Sequence, residues 1–126
     1  MKILLTFFVL FFSSSGFAEW ILVSGENDKN YSIDFNTIQK KSGFAEFWNM
    51  ENYLNGLAGE NNVMSSINFI STDCNSNKIK YLYSFYFSNK NGKGEIFNTY
   101  LIPDDTWTIF DKETHFGQMN LEVCKY

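Results

Sequence analysis

His115 is the single histidine of this 126-residue chain, and Cys74 and Cys124 are its only cysteines. These three residues bound the chemistry the chain can do. A Ser-His-Asp or Cys-His mechanism would have to run through His115, which has no obvious nucleophile in its own segment. A zinc site needs about four Cys, His or carboxylate ligands, and no cluster stands at that spacing. Glu46 and Glu51 are five residues apart, so an unbroken strand places them on opposite faces. That excludes the facing carboxylate pair of a glycosidase. Asp104-Asp105 lacks the alternating oxygen ligands of a calcium loop. Gly92-Lys93-Gly94 lacks the glycine spacing and following Ser/Thr of a phosphate loop, and strands flank it on both sides. Asn30-Tyr31-Ser32 matches a glycosylation acceptor, which matters only in a eukaryotic secretory pathway. The residues therefore predict no catalytic group, no metal site and no cofactor, and the chain reads as a non-enzyme.

Surface charge is the remaining candidate. Lys78 and Lys80 fall on the polar side of a strand-like run, and Lys90 and Lys93 flank the hairpin that follows. Together they form a local basic patch on an acidic chain. The patch reads either as a partner-binding surface or as solvated lysines that guard an edge strand against aggregation. Exposed tyrosines among them would favour the first, since Tyr is enriched at protein interfaces.

The element that carries those lysines is the stretch Asn68–Phe87. Its second half alternates with period two: Ile79, Tyr81, Tyr83, Phe85 and Phe87 share one face, and Lys78, Lys80, Ser84 and Ser88 the other. The aromatic face reads as core beneath a C-terminal helix. Upstream, Trp20–Ser24 and Asn30–Asp34 read as short strands, with a turn near Asp34. Phe44–Tyr53 places Phe44, Trp48 and Met50 on one face and Ala45, Phe47 and Tyr53 on the other. Apolar residues on both sides predict a central strand covered on both faces. Val63–Asp73 alternates less cleanly, which predicts a bulge near Ser65-Ser66.

Asn91-Gly92 is a strong hairpin signal. Glu95–Leu101 reads as the returning strand, Pro103-Asp104-Asp105 as its end and Thr106–Phe110 as a last short strand. From Asp111 the period becomes helical, with Phe116, Met119 and Val123 on one stripe. This predicts a helix near Lys112–Lys125, with Asp111 or Thr114 as N-cap and Gly117 weakening it by about 1 kcal/mol. The fold class is α+β: an antiparallel sheet of about six strands with one helix packed on it.

Composition places the chain outside the cytoplasm. Met1-Lys2 is a short positive start, Ile3–Phe12 an apolar run, and Gly16-Phe17-Ala18 a small-residue cleavage site, together a signal peptide over residues 1–18. The run is too short to span a bilayer, which takes about 20 apolar residues. The mature chain, residues 19–126, is a single domain. No cysteine lies close behind the leader to accept a lipid, so the product is expected in the periplasm or outside the cell. All ten basic residues are lysines, set against 14 acidic ones. An acidic, arginine-free chain argues against nucleic-acid binding. Two cysteines in an exported chain predict a Cys74–Cys124 disulfide, with two free thiols or half of a metal site as the alternatives.

The order of landmarks resembles the surface-adhesin protein E family of bacterial exported proteins. Those landmarks are Trp20, then Tyr31, Asp34 and Thr37-Ile38, then Gly43 with Phe47-Trp48, then Asp73-Cys74 followed by lysines. Gly92, Gly94, Trp107 with Ile109, and Val123-Cys124 complete the series. The resemblance implies an antiparallel sheet with a C-terminal helix held to it by the disulfide, and dimerisation. It also implies adhesion to host matrix proteins such as vitronectin and laminin. The best-known member is a surface lipoprotein, and this sequence lacks the lipid-acceptor cysteine. A soluble periplasmic domain with a structural, assembly or small-ligand role, and no host partner, is therefore the alternative reading.

Overall fold

The alternating runs of the sequence form one antiparallel meander, and its register decides which side chains share a face. The computed structural model describes residues 18–26, 28–57, 62–101 and 106–126, without the side chains of 26 and 98–101. Residues 1–17 of the expected leader and Pro103-Asp104-Asp105, the expected end of the sixth strand, lie outside the described residues. Strands β1 (Trp20–Glu26), β2 (Lys29–Lys41), β3 (Phe44–Tyr53), β4 (Ser65–Asp73), β5 (Lys78–Asn89) and β6 (Lys93–Leu101) lie side by side in chain order. A two-residue strand β7 (Thr108–Ile109) pairs with the start of β5. The chain ends in helix α1 (His115–Lys125).

The helix packs on the sheet face carrying Tyr31 and Ile33 of β2, Ala45 and Phe47 of β3, Ile70 of β4 and Ile79 of β5. Met119 and Val123 are its inward residues, and both are fully buried. Each such side chain removed from water contributes about 1.5–3 kcal/mol. The disulfide Cys74–Cys124, with its Cα atoms 5.6 Å apart, ties the last turn of α1 to the β4–β5 connection. Asn120 reinforces it, donating from Nδ2 to Thr72 Oγ1 at 2.7 Å and to the Asp73 carbonyl at 3.0 Å. From β2, Lys40 donates to the Cys124 carbonyl at 2.7 Å.

Of the two candidate caps, Thr114 takes the role. Its Oγ1 accepts from the Gly117 amide at 3.4 Å, and α1 begins three residues later than the periodicity predicted. Gly117 is required rather than merely tolerated. A Cβ there would lie 2.2 Å from the Lys112 carbonyl oxygen, which folds back against the first turn.

Four expectations are corrected. The chain does not turn near Asp34; β2 runs on to Lys41 through a bulge between Asp34 and Gln39. Local hydrogen bonds take up two of the amides there. Asp34 Oδ1 accepts from the Asn36 amide at 3.1 Å, and Thr37 Oγ1 accepts from the Trp48 amide at 3.0 Å. Nor is there a bulge at Ser65-Ser66, where β3 and β4 pair without a break.

The irregularity lies instead across from Phe69/Ile70, because Ile70 pairs with Tyr81 while Phe69 pairs with Tyr83. Leu82 is the extra residue. A single extra residue reverses every later side chain. Ile79 and Tyr81 therefore face the helix, while Tyr83, Phe85 and Phe87 face the opposite side. The expected single aromatic face beneath the helix is split in two. Finally, β3 is central but α1 covers only its Ala45/Phe47 face. Across the other face Trp48 meets Phe69 and Phe85 with ring centroids 5.0 and 6.1 Å apart.

Candidate functional site

The face away from α1 is built row by row from the register. One row runs Trp48, Phe69, Tyr83 across β3, β4 and β5; the next runs Met50, Ile67, Phe85; the next contains Ser65, Phe87 and Ile96. Phe69 and Tyr83 continue the ring contacts at 6.0 Å. Tyr83 is 40% exposed and Ile96 59%. A solvated face of an antiparallel sheet is ordinarily polar, so this aromatic band is an unusual surface among the described residues. Tyr83 stands one row from Lys80 on this face.

The other end of the same face is charged. Glu46, Ser71 and Lys80 form one row, and Phe44, Asp73, Lys78 and Ile109 the next. Trp107 lies across this end, its ring 5.6 Å from that of Phe44 and 5.4 Å from Lys80 Nζ. The second contact is cation–π attraction, worth about 0.5–1 kcal/mol at an exposed site. Asp73 turns its carboxylate into the β4–β5 connection, accepting from the Asn75 amide at 2.8 Å and the Ser76 hydroxyl at 2.9 Å. These bonds, the amide first, hold its pKa below the usual carboxylate value.

The four lysines do not meet in one patch. Lys78 and Lys80 open β5, while Lys90 and Lys93 stand at the far end, on either side of the β5–β6 connection. From Lys80 to Asn89 the strand covers about 30 Å. The connection, expected as a simple Asn91-Gly92 hairpin tip, leans back over the ends of β3 and β4. The Asn91 amide donates to Asn52 Oδ1 at 2.8 Å and the Gly92 amide to Ser65 Oγ at 2.9 Å. Asn91 and Gly92 both have positive φ, 64° and 68°, which Asn and Gly accept at least cost. Lys90 and Lys93 are thus exposed on a braced tip.

Beneath α1 lies a feature the sequence reading missed. Glu51 is 8% exposed and sits among donors. Its Oε2 accepts from Asn49 Nδ2 at 3.2 Å, from Asn68 Nδ2 at 3.3 Å and from the Tyr81 hydroxyl. Its Oε1 accepts from the Tyr53 hydroxyl at 3.2 Å. Asn68 also donates to Asn49 Oδ1 at 2.8 Å, and Tyr53 and Ser66 share a bond of 2.8 Å. Burial, then the charge of Glu51, pushes the Tyr53 phenol well above its ordinary value, and the same two causes in the same order raise Tyr81. The signal was present in the alternation: Asn49 and Glu51 continue the Ala45/Phe47 face of β3. The network is internally satisfied, with no buried side-chain polar atom lacking a partner among the described residues. It locks three strands together.

His115 joins this layer by stacking on Tyr31, with centroids 4.1 Å apart and planes 9° from parallel. Among the described residues no group of three or more His, Cys, Asp or Glu is placed to hold a metal ion, and no helix is long and apolar enough to cross a membrane.

The sheet thus carries aromatic and charged rows on one face and, on the other, a buried polar network bonded across β3, β4 and β5. The surface-adhesin protein E family matches residues 20–125, nearly the whole chain, and the chain belongs to that family. No curated protein and no solved structure matches it significantly. The family points to a surface adhesin-like, non-enzymatic protein.

Proposed function

We propose that the chain is exported after cleavage behind Ala18 and that residues 19–126 act as a non-catalytic protein-binding domain, an adhesin for host extracellular-matrix proteins such as vitronectin or laminin. The observation that carries this reading is the family match over residues 20–125. The surface chemistry supports it. Aromatic rings and lysines stand together on one sheet face, and a second lysine pair projects from a braced tip. Lys78 and Lys80 supply contacts at one end and Lys90 and Lys93 at the other, so a matrix protein would be gripped along the length of β5 rather than at a point. Such contacts are salt-sensitive, because exposed charges are screened within about 10 Å at 0.1 M salt.

Protease treatment of intact cells tests the reading. An adhesin is cut from the outside without lysis. Protection in intact cells, with recovery only by osmotic shock, would instead establish the periplasmic domain with a structural, assembly or small-ligand role.

A further inference from the structure

The start of β1 is held by a carboxylate as well as by its strand neighbour. β1 is an edge strand, and a register break between Leu22 and Ser24 leaves Trp20, Ile21 and Leu22 as a three-residue piece ahead of it. Ile21 and Leu22 are 47% and 62% exposed, so this piece has little burial to fix it. Its outer end is tied instead at Glu19. The Glu19 amide nitrogen lies 3.4 Å from Asp34 Oδ2, and Asn36 Nδ2 donates to Glu19 Oε2 at 3.3 Å.

Asp34 is 7% exposed, and the donors the structure gives its two oxygens are main-chain amides, Asn36 on Oδ1 at 3.1 Å and Glu19 on Oδ2. A buried carboxylate is costly unless a cation or several hydrogen bonds compensate it. The Glu19 carboxylate, turned to Asn36, adds a second negative group at the same corner. Cleavage behind Ala18 changes the charge at this place. Hydrolysis of the Ala18–Glu19 bond consumes one water, leaves a carboxylate on Ala18, and turns the Glu19 amide into an amine that takes up a proton at neutral pH. One neutral donor becomes an ammonium with three. An ammonium–carboxylate bond closes to about 2.7–2.9 Å and is roughly twice as strong as a neutral one. The 3.4 Å separation leaves room for that closure.

We propose that Asp34 is the acceptor for the mature N-terminus, in an ammonium–carboxylate clasp that forms only once the leader has been removed and that pins the start of β1. The proposal rests on the export reading, with its cut behind Ala18. It makes cleavage a folding step as well as a release. The disulfide Cys74–Cys124 likewise forms in an oxidising compartment. The two ends of the domain, β1 and α1, are thus each tied down after export. The clasp also steadies the open face, because Trp20, Asp34 and Trp48 pair across β1, β2 and β3 in the row that continues through Phe69 and Tyr83.

Urea unfolding of the disulfide-bonded chain tests the proposal on three forms: residues 19–126 with a free Glu19 amine, the same chain with one glycine ahead of Glu19, and the same chain acetylated on the Glu19 nitrogen. The glycine moves the ammonium away and acetylation removes its charge, while both keep a Glu19 N–H. Each should lower the folded-to-unfolded ratio about fivefold relative to the free start. In an Asp34→Asn background, which retains an acceptor for the Asn36 amide, the three forms should agree. Equal stability of the free and acetylated chains overturns the proposal, whether or not Asp34→Asn folds. So does a difference that survives Asp34→Asn. The mass of the exported protein tests the export reading separately, and a start at Glu19 is expected. A different start removes that reading's cut and the clasp with it, whereas a Glu19 start with equal stabilities overturns the clasp alone.

Discussion

Tyr81 on β5 donates its hydroxyl to Glu51 on β3, so the two residues clasp each other across the intervening strand β4. Asn68 of β4 donates to the same carboxylate at 3.3 Å from between them. A carboxylate accepts and does not donate, and the surrounding donors are disposed to match.

Glu51→Gln keeps the shape and turns one acceptor into a donor facing other donors. The expected cost is roughly 1–3 kcal/mol, the penalty for leaving a buried polar group unmatched. A urea midpoint unchanged from wild type would show that the network contributes no stability.

Alkali should loosen the same layer. Tyr53 and Tyr81 have folded pKa values raised above their ordinary one, so the fold holds the protonated phenols. Their contribution is complete below the unfolded value near pH 10. It is lost as pH rises beyond that, by up to about 1.4 kcal/mol per pH unit for each phenol. Denaturant midpoints measured from neutral pH to pH 11 should fall above pH 10, and Tyr53→Phe should flatten part of that fall. A profile unaffected by the substitution would contradict the assignment.

The disulfide closes a loop with a sequence separation of 50. Replacing both Cys74 and Cys124 by serine should cost about 4 kcal/mol in the chain-entropy account and release the end of α1 first. Hydrogen exchange should show the amides near Val123 losing protection before those of β3. Uniform loss across the domain would place the clasp's effect elsewhere.

Gly117→Ala sets two effects against each other. Helix propensity alone favours alanine by about 1 kcal/mol. The new methyl would meet the Lys112 backbone at 2.2 Å, and overpacking of this kind costs about 1–3 kcal/mol. The variant should be destabilised on balance, read as a lower thermal midpoint. A rise in that midpoint would show that the Lys112 loop moves aside freely.

Much of the fold was legible because it rests on period and pairing. The alternation of Phe44–Tyr53, the positive-φ pair Asn91-Gly92 and the two cysteines each predict a local feature that survives folding. What could not be read was register. Leu82 looks like any apolar residue in an apolar run, yet as the unpaired residue of a bulge it sends Tyr83, Phe85 and Phe87 to the opposite face from Tyr81. Asp34 looks like a turn former, and its bonds to Asn36 and Thr37 do bend the chain. The bend stays within the strand because Trp48 finds its partner in Thr37. The lysines illustrate the same limit. Proximity in sequence joined them, while an extended strand keeps the pairs at its two ends.

The proposed function has this domain bind matrix proteins through its lysine-bearing strand and tip. Binding of the purified mature chain to immobilised vitronectin and laminin, at low and at physiological salt, tests it most directly. The expected result is saturable binding that weakens with salt and falls by about tenfold, or 1.4 kcal/mol, when Lys78, Lys80, Lys90 and Lys93 are all replaced by alanine. Absence of binding to both proteins, or binding untouched by the fourfold substitution, would contradict it.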